Sequence, residues 1–265
     1  MGKILFHATS DDVDGIKIEQ VLKSIGVGKG DTLFVHSRLF SLGKLGKGLA
    51  KKELTESIIG AFFNVIGSEG TLILPTFTFS FCKTGEFDSA KTPSETGVLG
   101  EVSRTFSSAI RTAHPIYSVV LFGRNTDYYK NASTTTCFGK GSIFDLIHKK
   151  EDVKILFLGL EFPGPSQFHY IEELLNVPYR HMKIFKGTSQ GKEITVNFFV
   201  RNQPNQVEID HHSFLDHCNQ HGMLKQHHLG EGIVFLIKEK DFHDCFQKKM
   251  KQDSNYFLKV PYQHS

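Results

Sequence analysis

The chain has 265 residues, 39% of them hydrophobic and 22% charged, which is typical of a globular protein with one large or two small domains. This composition excludes a disordered chain and a coiled coil. The net charge of +3 is too small and too evenly spread to indicate a nucleic-acid-binding protein. There is no run of about 18 apolar residues of the kind that crosses a membrane.

Helices and strands alternate along the first 160 residues. Apolar residues at helical spacing predict helices at 16–25, 53–66, 98–107 and near 143–149. Short apolar runs bounded by turns predict strands at 32–36, 71–75, 118–123 and 153–160. Such strands between amphipathic helices are typical of a sheet covered on both faces. We therefore predict an α/β fold with a mixed, largely parallel central sheet and helices on both faces.

The last third has a different pattern. Two runs separated by Ser-Gln-Gly-Lys predict a hairpin at 183–188 and 193–200. A helix at 214–221, a strand at 232–238 and a basic amphipathic helix at 240–251 follow. We predict one domain over residues 1–265, with a candidate C-terminal subdomain at 181–265.

The lack of a signal-peptide pattern and the spacing of the cysteines lead us to expect a cytoplasmic protein. The N-terminal segment has acidic residues where a signal peptide needs an apolar run. The four cysteines form no CxxC pair, so we expect reduced thiols.

Polar residues cluster at four predicted strand ends. These segments are FVHSRLFSLG at 34–43, LPTFTFSF at 74–81, AHPIYS at 113–118 and LGLEFPGPSQFHYIEE at 158–173. Ligands of α/β proteins bind beyond the carboxyl ends of the strands. We therefore expect the four segments to line one cleft.

His169 and Glu172 are the strongest catalytic candidates from the residues alone. On a helix, residues three apart are neighbours on one face, and this pair directly follows a strand and the turn-rich segment 163–165. An HxxE pair is also common by chance, and His114 before Pro115 is equally consistent with a rigid turn. Neither a P-loop nor a GxGxxG motif is present.

The C-terminal third is rich in histidine, namely His211, His212, His217, His221, His227 and His228. His217 and His221 have one-face spacing on a helix. The sequence has no HExxH motif, and no carboxylate or cysteine completes the set by its spacing. We therefore predict a solvated histidine-rich surface and no metal site, with a metal-binding protein as an alternative.

Six segments resemble, in order, motifs of the antibiotic N-acetyltransferase family, which includes the aminoglycoside 3-N-acetyltransferases. FVHSRLFSLG is similar to VHSSLSSLG, GTLILPTFTFS to GTLVMPTFT, and HPIYSVVLFG to HP.HSVAA.G. PSETGVLGEVSR, GKGSIFDLI and LFLGLEFPGPSQFHYIEE match further motifs, so the resemblance covers about residues 15–180. Arg38, Tyr117 and Ser166 depart from the residues usual in the family.

The resemblance implies an aminoglycoside 3-N-acetyltransferase-like fold and transfer of an acetyl group from acetyl-CoA to the amine of an amino sugar. His169 would be the general base, oriented by Glu172, whose charge should raise the basicity of the imidazole. His114 is a second catalytic candidate, facing either the oxyanion or the acceptor. Cofactor contacts carried over or assigned nearby are His36, Ser37, Arg38, Gly43, Thr76, Phe77 and Ser118.

The overall charge of the chain is our guide to the substrate that accepts the acetyl group. Aminoglycosides are polycations and would gain from an acidic cleft, whereas this chain has a pI near 8.5. We therefore expect a nucleotide-linked amino sugar for surface-glycan synthesis, with aminoglycoside acetylation as the alternative. An alternative from another functional class is a hydrolase that uses Ser37, His169 and Glu172. We expect no nucleic-acid or membrane partner, and a homodimer is a candidate assembly.

Overall fold

The structure, a computed structural model, describes residues 3–202 and 207–263. The strands are β1 (Phe6–His7), β2 (Thr32–Ser37), β3 (Lys44–Leu45), β4 (Thr71–Pro75), β5 (Glu86–Phe87), β6 (Ile110–Arg111), β7 (Val119–Gly123), β8 (Val153–Leu158), β9 (Arg180–Ser189), β10 (Lys192–Arg201), β11 (Lys225–Leu229) and β12 (Gly232–Lys238). The helices are α1 (Gly15–Ser24), α2 (Lys51–Ile66), α3 (Phe81–Thr84), α4 (Val98–Ser103), α5 (Thr126–Tyr129), α6 (Ile143–His148), α7 (Gln167–Leu174), α8 (His211–Gln220) and α9 (Glu239–Gln252), with a 3₁₀ turn at Leu39–Leu42.

A seven-stranded sheet in the order β11-β12-β8-β2-β4-β7-β6 forms the centre of the molecule. The predicted mixed α/β fold is confirmed. Parallel pairing is confined to β8, β2 and β4, and the flanking strands are antiparallel. The expectation of a largely parallel sheet therefore holds only for the centre, because a buried apolar run does not reveal the direction of its neighbour.

The two faces of the sheet are covered by different helices, as predicted. Alternate side chains of a strand point to opposite faces. Leu33 and Val35 of β2 pack with the core beside α1 and α2, whereas Phe34 packs with the aromatic core beside α6, α7 and α9. Phe34 and Val35 are buried. Burying a side chain of this size stabilises the fold by roughly 1.5–3 kcal/mol relative to leaving it exposed.

Most predicted elements are present with small changes in their ends. The helix predicted at 98–107 is wrong beyond Ser103, where α4 ends. Thr105 and Phe106 instead donate to the carbonyls three residues back. Ser103 donates its hydroxyl to the carbonyl of Leu99, and such short hydroxyl side chains compete with regular helix bonding.

The hairpin of β9 and β10 pairs over ten residues in each strand and forms a separate three-stranded sheet with β5. Its Phe198 ring contacts Tyr117 and Phe138 at centroid distances of 5.6 and 5.8 Å. The hairpin therefore covers part of the aromatic core. Strand β12 returns to the central sheet beside β8, and the domain division near residue 180 remains a prediction.

No helix within residues 3–202 and 207–263 combines the length and hydropathy needed to cross a membrane.

Candidate active site

The four polar segments meet at one edge of the central sheet. Ser37 at the end of β2 lies opposite Leu158 at the end of β8. Pro75 at the end of β4 lies opposite Val119, where the antiparallel β7 begins. The loops after β2, β4 and β8 and the segment before β7 therefore share this edge of the sheet.

Helix α7 follows β8 and positions the predicted catalytic pair. His169 and Glu172 lie one turn apart, and His169 Nδ1 is 2.5 Å from Glu172 Oε2. A hydrogen bond from Nδ1–H to the carboxylate fixes the tautomer and leaves the lone pair on Nε2. The His169 side chain is 25% exposed and Glu172 is fully buried, so a small molecule can reach the imidazole while its partner stays dry.

Arg180, the first residue of β9, is a member of this cluster that the sequence analysis missed. Its Nε lies 2.9 Å from Glu172 Oε2, and its Nη2 lies 3.1 Å from His169 Nδ1. Nη1 donates to the carbonyl oxygen of Phe199 at 3.1 Å. Its side chain is 5% exposed. The sequence contains no signal for this contact because Arg180 lies on a different element from α7.

Burial and the charge of Arg180 oppose the expected rise in the basicity of His169. Burial is the largest cause that lowers the pKa of His169, Arg180 lowers it further, and Glu172 only partly opposes them. Burial would raise the pKa of Glu172, but Arg180 and His169 outweigh it and hold that pKa below its usual value. The cluster therefore holds a neutral imidazole beside an ionised carboxylate at neutral pH. Glu172 raises the basicity of the imidazole as expected, but burial and Arg180 together outweigh it, so the pKa of His169 lies below its usual value.

Two grooves meet at His169. The hairpin groove, of about 520 Å³, lies between the imidazole and the β9–β10 hairpin, and its lining includes Tyr117, Lys183 and Phe198. The helix groove, of about 410 Å³, lies on the α8 side and includes Ser166 and Phe214. His169 and Arg201 line both grooves. The imidazole can therefore be approached from two sides.

The hairpin groove is cationic. Arg180, Lys183 and Arg201 line it, and no carboxylate is among its described lining residues. The helix groove includes Glu208, which is 2.6 Å from Lys259. The hairpin groove therefore favours a neutral or anionic ligand over a polycation.

His114 lies in the core, where it anchors a turn. Its Nδ1 accepts hydrogen bonds from the backbone N–H groups of Ile116 and Tyr117 at 3.0 and 2.9 Å. Burial lowers its pKa to about 4, and it is absent from the described lining of both grooves. The structure therefore agrees with the interpretation of His114 as part of a rigid turn. His114 would not contact a ligand bound in either groove.

Thr76 and Ser118 are also held in the interior. Their hydroxyl oxygens are 3.0 Å apart, and Ser118 Oγ donates to the carbonyl oxygen of Thr76 at 2.7 Å. Arg111 donates to both residues from Nε and Nη2. Phe77 is buried against Tyr117, with ring centroids 4.7 Å apart. These three predicted cofactor residues are buried, and none of them is among the described lining residues of the two grooves at His169.

At the end of β2, His36 and Ser37 are half-buried and Arg38 is exposed. The ring of His36 stacks on Phe157 at 5.4 Å, and its buried Nε2 has no hydrogen-bond partner among the described residues. Arg38 pairs with Glu161 at 3.0 Å. Nearby Gly43 has φ +139°, and a Cβ there would overlap the carbonyl oxygen of His7, so its role is conformational.

The hydrolase alternative requires a nucleophile within about 2.6–3.2 Å of its base. Within the described ranges, no hydrogen bond joins the Ser37 hydroxyl to His169, whose ring nitrogen contacts are with Glu172 and Arg180. The geometry therefore favours His169 acting directly on a substrate.

Comparison with known proteins gives a family match over most of the chain. A sequence model of the family described as aminoglycoside 3-N-acetyltransferase matches residues 34–251. The chain is 26% identical over 187 residues to the SPbeta prophage-derived aminoglycoside N(3')-acetyltransferase-like protein YokD of Bacillus subtilis (strain 168), covering 62% of this chain and 65% of that protein. It is 25% identical over 257 residues to the aminoglycoside N(3)-acetyltransferase IV of a Salmonella species, covering 91% and 88%.

Solved structures share the fold. The apoenzyme of aminoglycoside acetyltransferase AAC(3)-IVa superposes with a TM-score of 0.76 at 21% identity, covering 94% of this chain and 92% of that one. AAC-IIIb in a binary complex with CoASH gives 0.75 at 18% identity, covering 94% and 98%. AAC-VIa bound to sisomicin gives 0.73 at 17% identity, covering 91% and 98%. At these identities the likeness establishes the fold.

Proposed function

Since the chain belongs to the aminoglycoside 3-N-acetyltransferase family, we propose that it transfers an acetyl group from acetyl-CoA to an amine of an aminoglycoside-type amino sugar. The observation that carries this proposal is the position of the His169–Glu172–Arg180 cluster. Its one partly exposed imidazole stands where two grooves meet, which suits a reaction between two substrates.

His169 is the general base of the proposed reaction. Acetyl-CoA, when bound, supplies the acetyl group as a thioester. The Nε2 atom of His169 takes a proton from the amine as its nitrogen bonds to the acetyl carbon and the carbon–sulfur bond breaks. The departing coenzyme A thiolate then takes this proton from the imidazolium and leaves as the free thiol. Glu172 accepts the Nδ1–H hydrogen bond and stabilises the imidazolium that forms. Arg180 keeps this carboxylate ionised and fixes its orientation, so it is a positioning residue.

The fit to coenzyme A rests on the end of β2. His36 offers a buried Nε2 atom without a partner in the described part of the chain, and an amide of the pantetheine arm would satisfy it. Arg38 is a mostly exposed cation near it that suits a phosphate. Thr76, Phe77 and Ser118 would shape the wall behind this position.

An aminoglycoside acceptor is favoured by the family and by the relatives named above. A second candidate, a nucleotide-linked amino sugar, is favoured by the cationic lining of the hairpin groove. The comparisons give no support to this second acceptor. The same cations could instead meet the phosphates of coenzyme A, so the two substrates must be tested separately.

Free thiol release from acetyl-CoA, measured with a panel of aminoglycosides and nucleotide-linked amino sugars, tests the proposal. We expect acceptor-dependent release with an aminoglycoside, and a fall in turnover of at least about 10²-fold in His169→Ala. His227→Ala is the matched control, because His227 is exposed on β11 and is not among the described lining residues of either groove.

Near-normal turnover in His169→Ala would remove the base role. Release only with nucleotide-linked sugars would select the second acceptor, and acetate release without any acceptor would indicate a hydrolase.

A further inference from the structure

A cluster of metal-ligand side chains lies between α8 and α9, apart from both grooves at His169. His217 and His221 stand four residues apart at the C-terminal end of α8, with ring centroids 4.4 Å apart. Cys245 of α9 places its Sγ 3.3 Å from His217 Nε2. One ligand atom from each of the three residues lies within 4.8 Å of the others.

The sequence analysis predicted no metal because no third ligand followed the histidines at a recognisable spacing. Cys245 comes 24 positions after His221, beyond two strands. The packing of α9 against the rest of the fold brings its thiol to the histidine pair. The tertiary structure therefore completes a set that the local pattern left open.

The orientation of His221 suits metal binding. His221 Nδ1 lies 2.9 Å from the carbonyl oxygen of His217, so an Nδ1–H donor here leaves the lone pair of His221 on Nε2. Metal-binding histidines commonly use their other ring nitrogen in this way.

The cluster opens onto a groove of about 600 Å³ that also includes Asp241, Asp244 and Tyr256. Zinc sites with three protein ligands keep a fourth position for water or another ligand. One thiolate and two imidazoles suit zinc and related transition metals, whereas magnesium and calcium prefer oxygen ligands.

We propose that His217, His221 and Cys245 bind one divalent transition-metal ion of the zinc class, with a fourth position facing this groove. On binding, the Cys245 thiol releases its proton to solvent and the thiolate and both imidazoles become ligands. No electron is transferred.

A second cluster, His148, Glu239 and His243, also has its ligand atoms within 4.8 Å. Glu239 contacts His148 at 3.1 Å and accepts from Gln167 at 2.8 Å. The rings of His148 and His243 lie 3.7 Å apart at an angle of 31°, and His243 Nδ1 has no hydrogen-bond partner among the described residues. It contains no sulfur ligand, so spectroscopy distinguishes it from the proposed site.

Titration of the chelator-treated full chain with Co²⁺ tests the proposal. We expect one ion per chain, a thiolate-to-cobalt charge-transfer band, visible absorption typical of tetrahedral cobalt, and displacement of both by Zn²⁺. Cys245→Ser should abolish the charge-transfer band, and His221→Ala should weaken binding at least about 10-fold.

Matched controls are Cys82→Ser, which removes a thiol outside the cluster, and His227→Ala with His228→Ala, which remove exposed histidines of β11. All three should bind Co²⁺ as the parent does. The proposal is overturned if no ion binds in the micromolar range. It is also overturned if the band survives Cys245→Ser, or if binding lacks a thiolate band and depends on His243.

Discussion

Replacing Glu172 by glutamine tests whether the carboxylate is the counter-charge of Arg180 as well as the partner of His169. Glutamine keeps the shape and removes the charge. Both side chains of the ion pair are almost inaccessible, with 0% exposure for Glu172 and 5% for Arg180. The variant therefore leaves a guanidinium in the interior without its carboxylate.

The expected cost follows from this burial. Removing one partner of a buried ion pair costs about 3–5 kcal/mol, whereas replacing both partners is often close to neutral. A domain of this kind is stable by about 5–15 kcal/mol, so the Glu172→Gln loss is large and measurable. Arg180→Met should cost a similar amount, with an added penalty because Phe199 loses a hydrogen-bond donor.

Urea denaturation of the parent, Glu172→Gln, Arg180→Met and the double variant measures the coupling. We expect the double variant to be at least about 2 kcal/mol more stable than the sum of the single losses predicts. Additivity within about 0.5 kcal/mol is what uncoupled sites show, and it would refute the ion-pair argument.

The activity of Glu172→Gln gives an independent measure of the same cluster. Arg180 still lowers the pKa of His169 in this variant, while the opposing carboxylate is gone. The acidic limb of its kcat/KM profile should therefore move to lower pH than in the parent. A shift to higher pH would contradict the assigned charges.

Three further outcomes are expected. In the parent, kcat/KM should keep its acidic limb below about pH 6.5, the ordinary histidine value, because a base must be neutral and burial lowers the pKa of His169; a limb above pH 7 would argue against this. Lys183→Glu should raise by about 10-fold the KM of the substrate whose negative charge lies in the hairpin groove. Lys186→Glu, at an exposed position on the same strand, should leave both KM values unchanged. Equal effects of the two variants would show only a change in overall charge. Gly100→Ala should lower stability by more than about 1 kcal/mol in a thermal melt, because its Cβ would overlap the Pro75 carbonyl oxygen; an unchanged Tm would contradict this close packing.

The sequence determined those features that depend on neighbouring residues. Apolar runs gave the central strands and most helices, because hydrophobic periodicity follows backbone geometry. His169 and Glu172 are three residues apart, so forming α7 is enough to bring them together. The order of six motifs was likewise sufficient to identify the family.

Only the tertiary structure decided the properties that depend on distant residues. Arg180 reaches Glu172 from another element and, together with burial, outweighs the effect of Glu172 on the pKa of His169. Cys245 contacts His217 across 28 positions. Thr76 and Ser118 resemble ligand-binding residues in the sequence, but in the structure their hydroxyl groups are hydrogen-bonded to each other. The physical reason is that burial and charge pairing are set by which surfaces pack together, and this packing is not encoded in the spacing of any single segment.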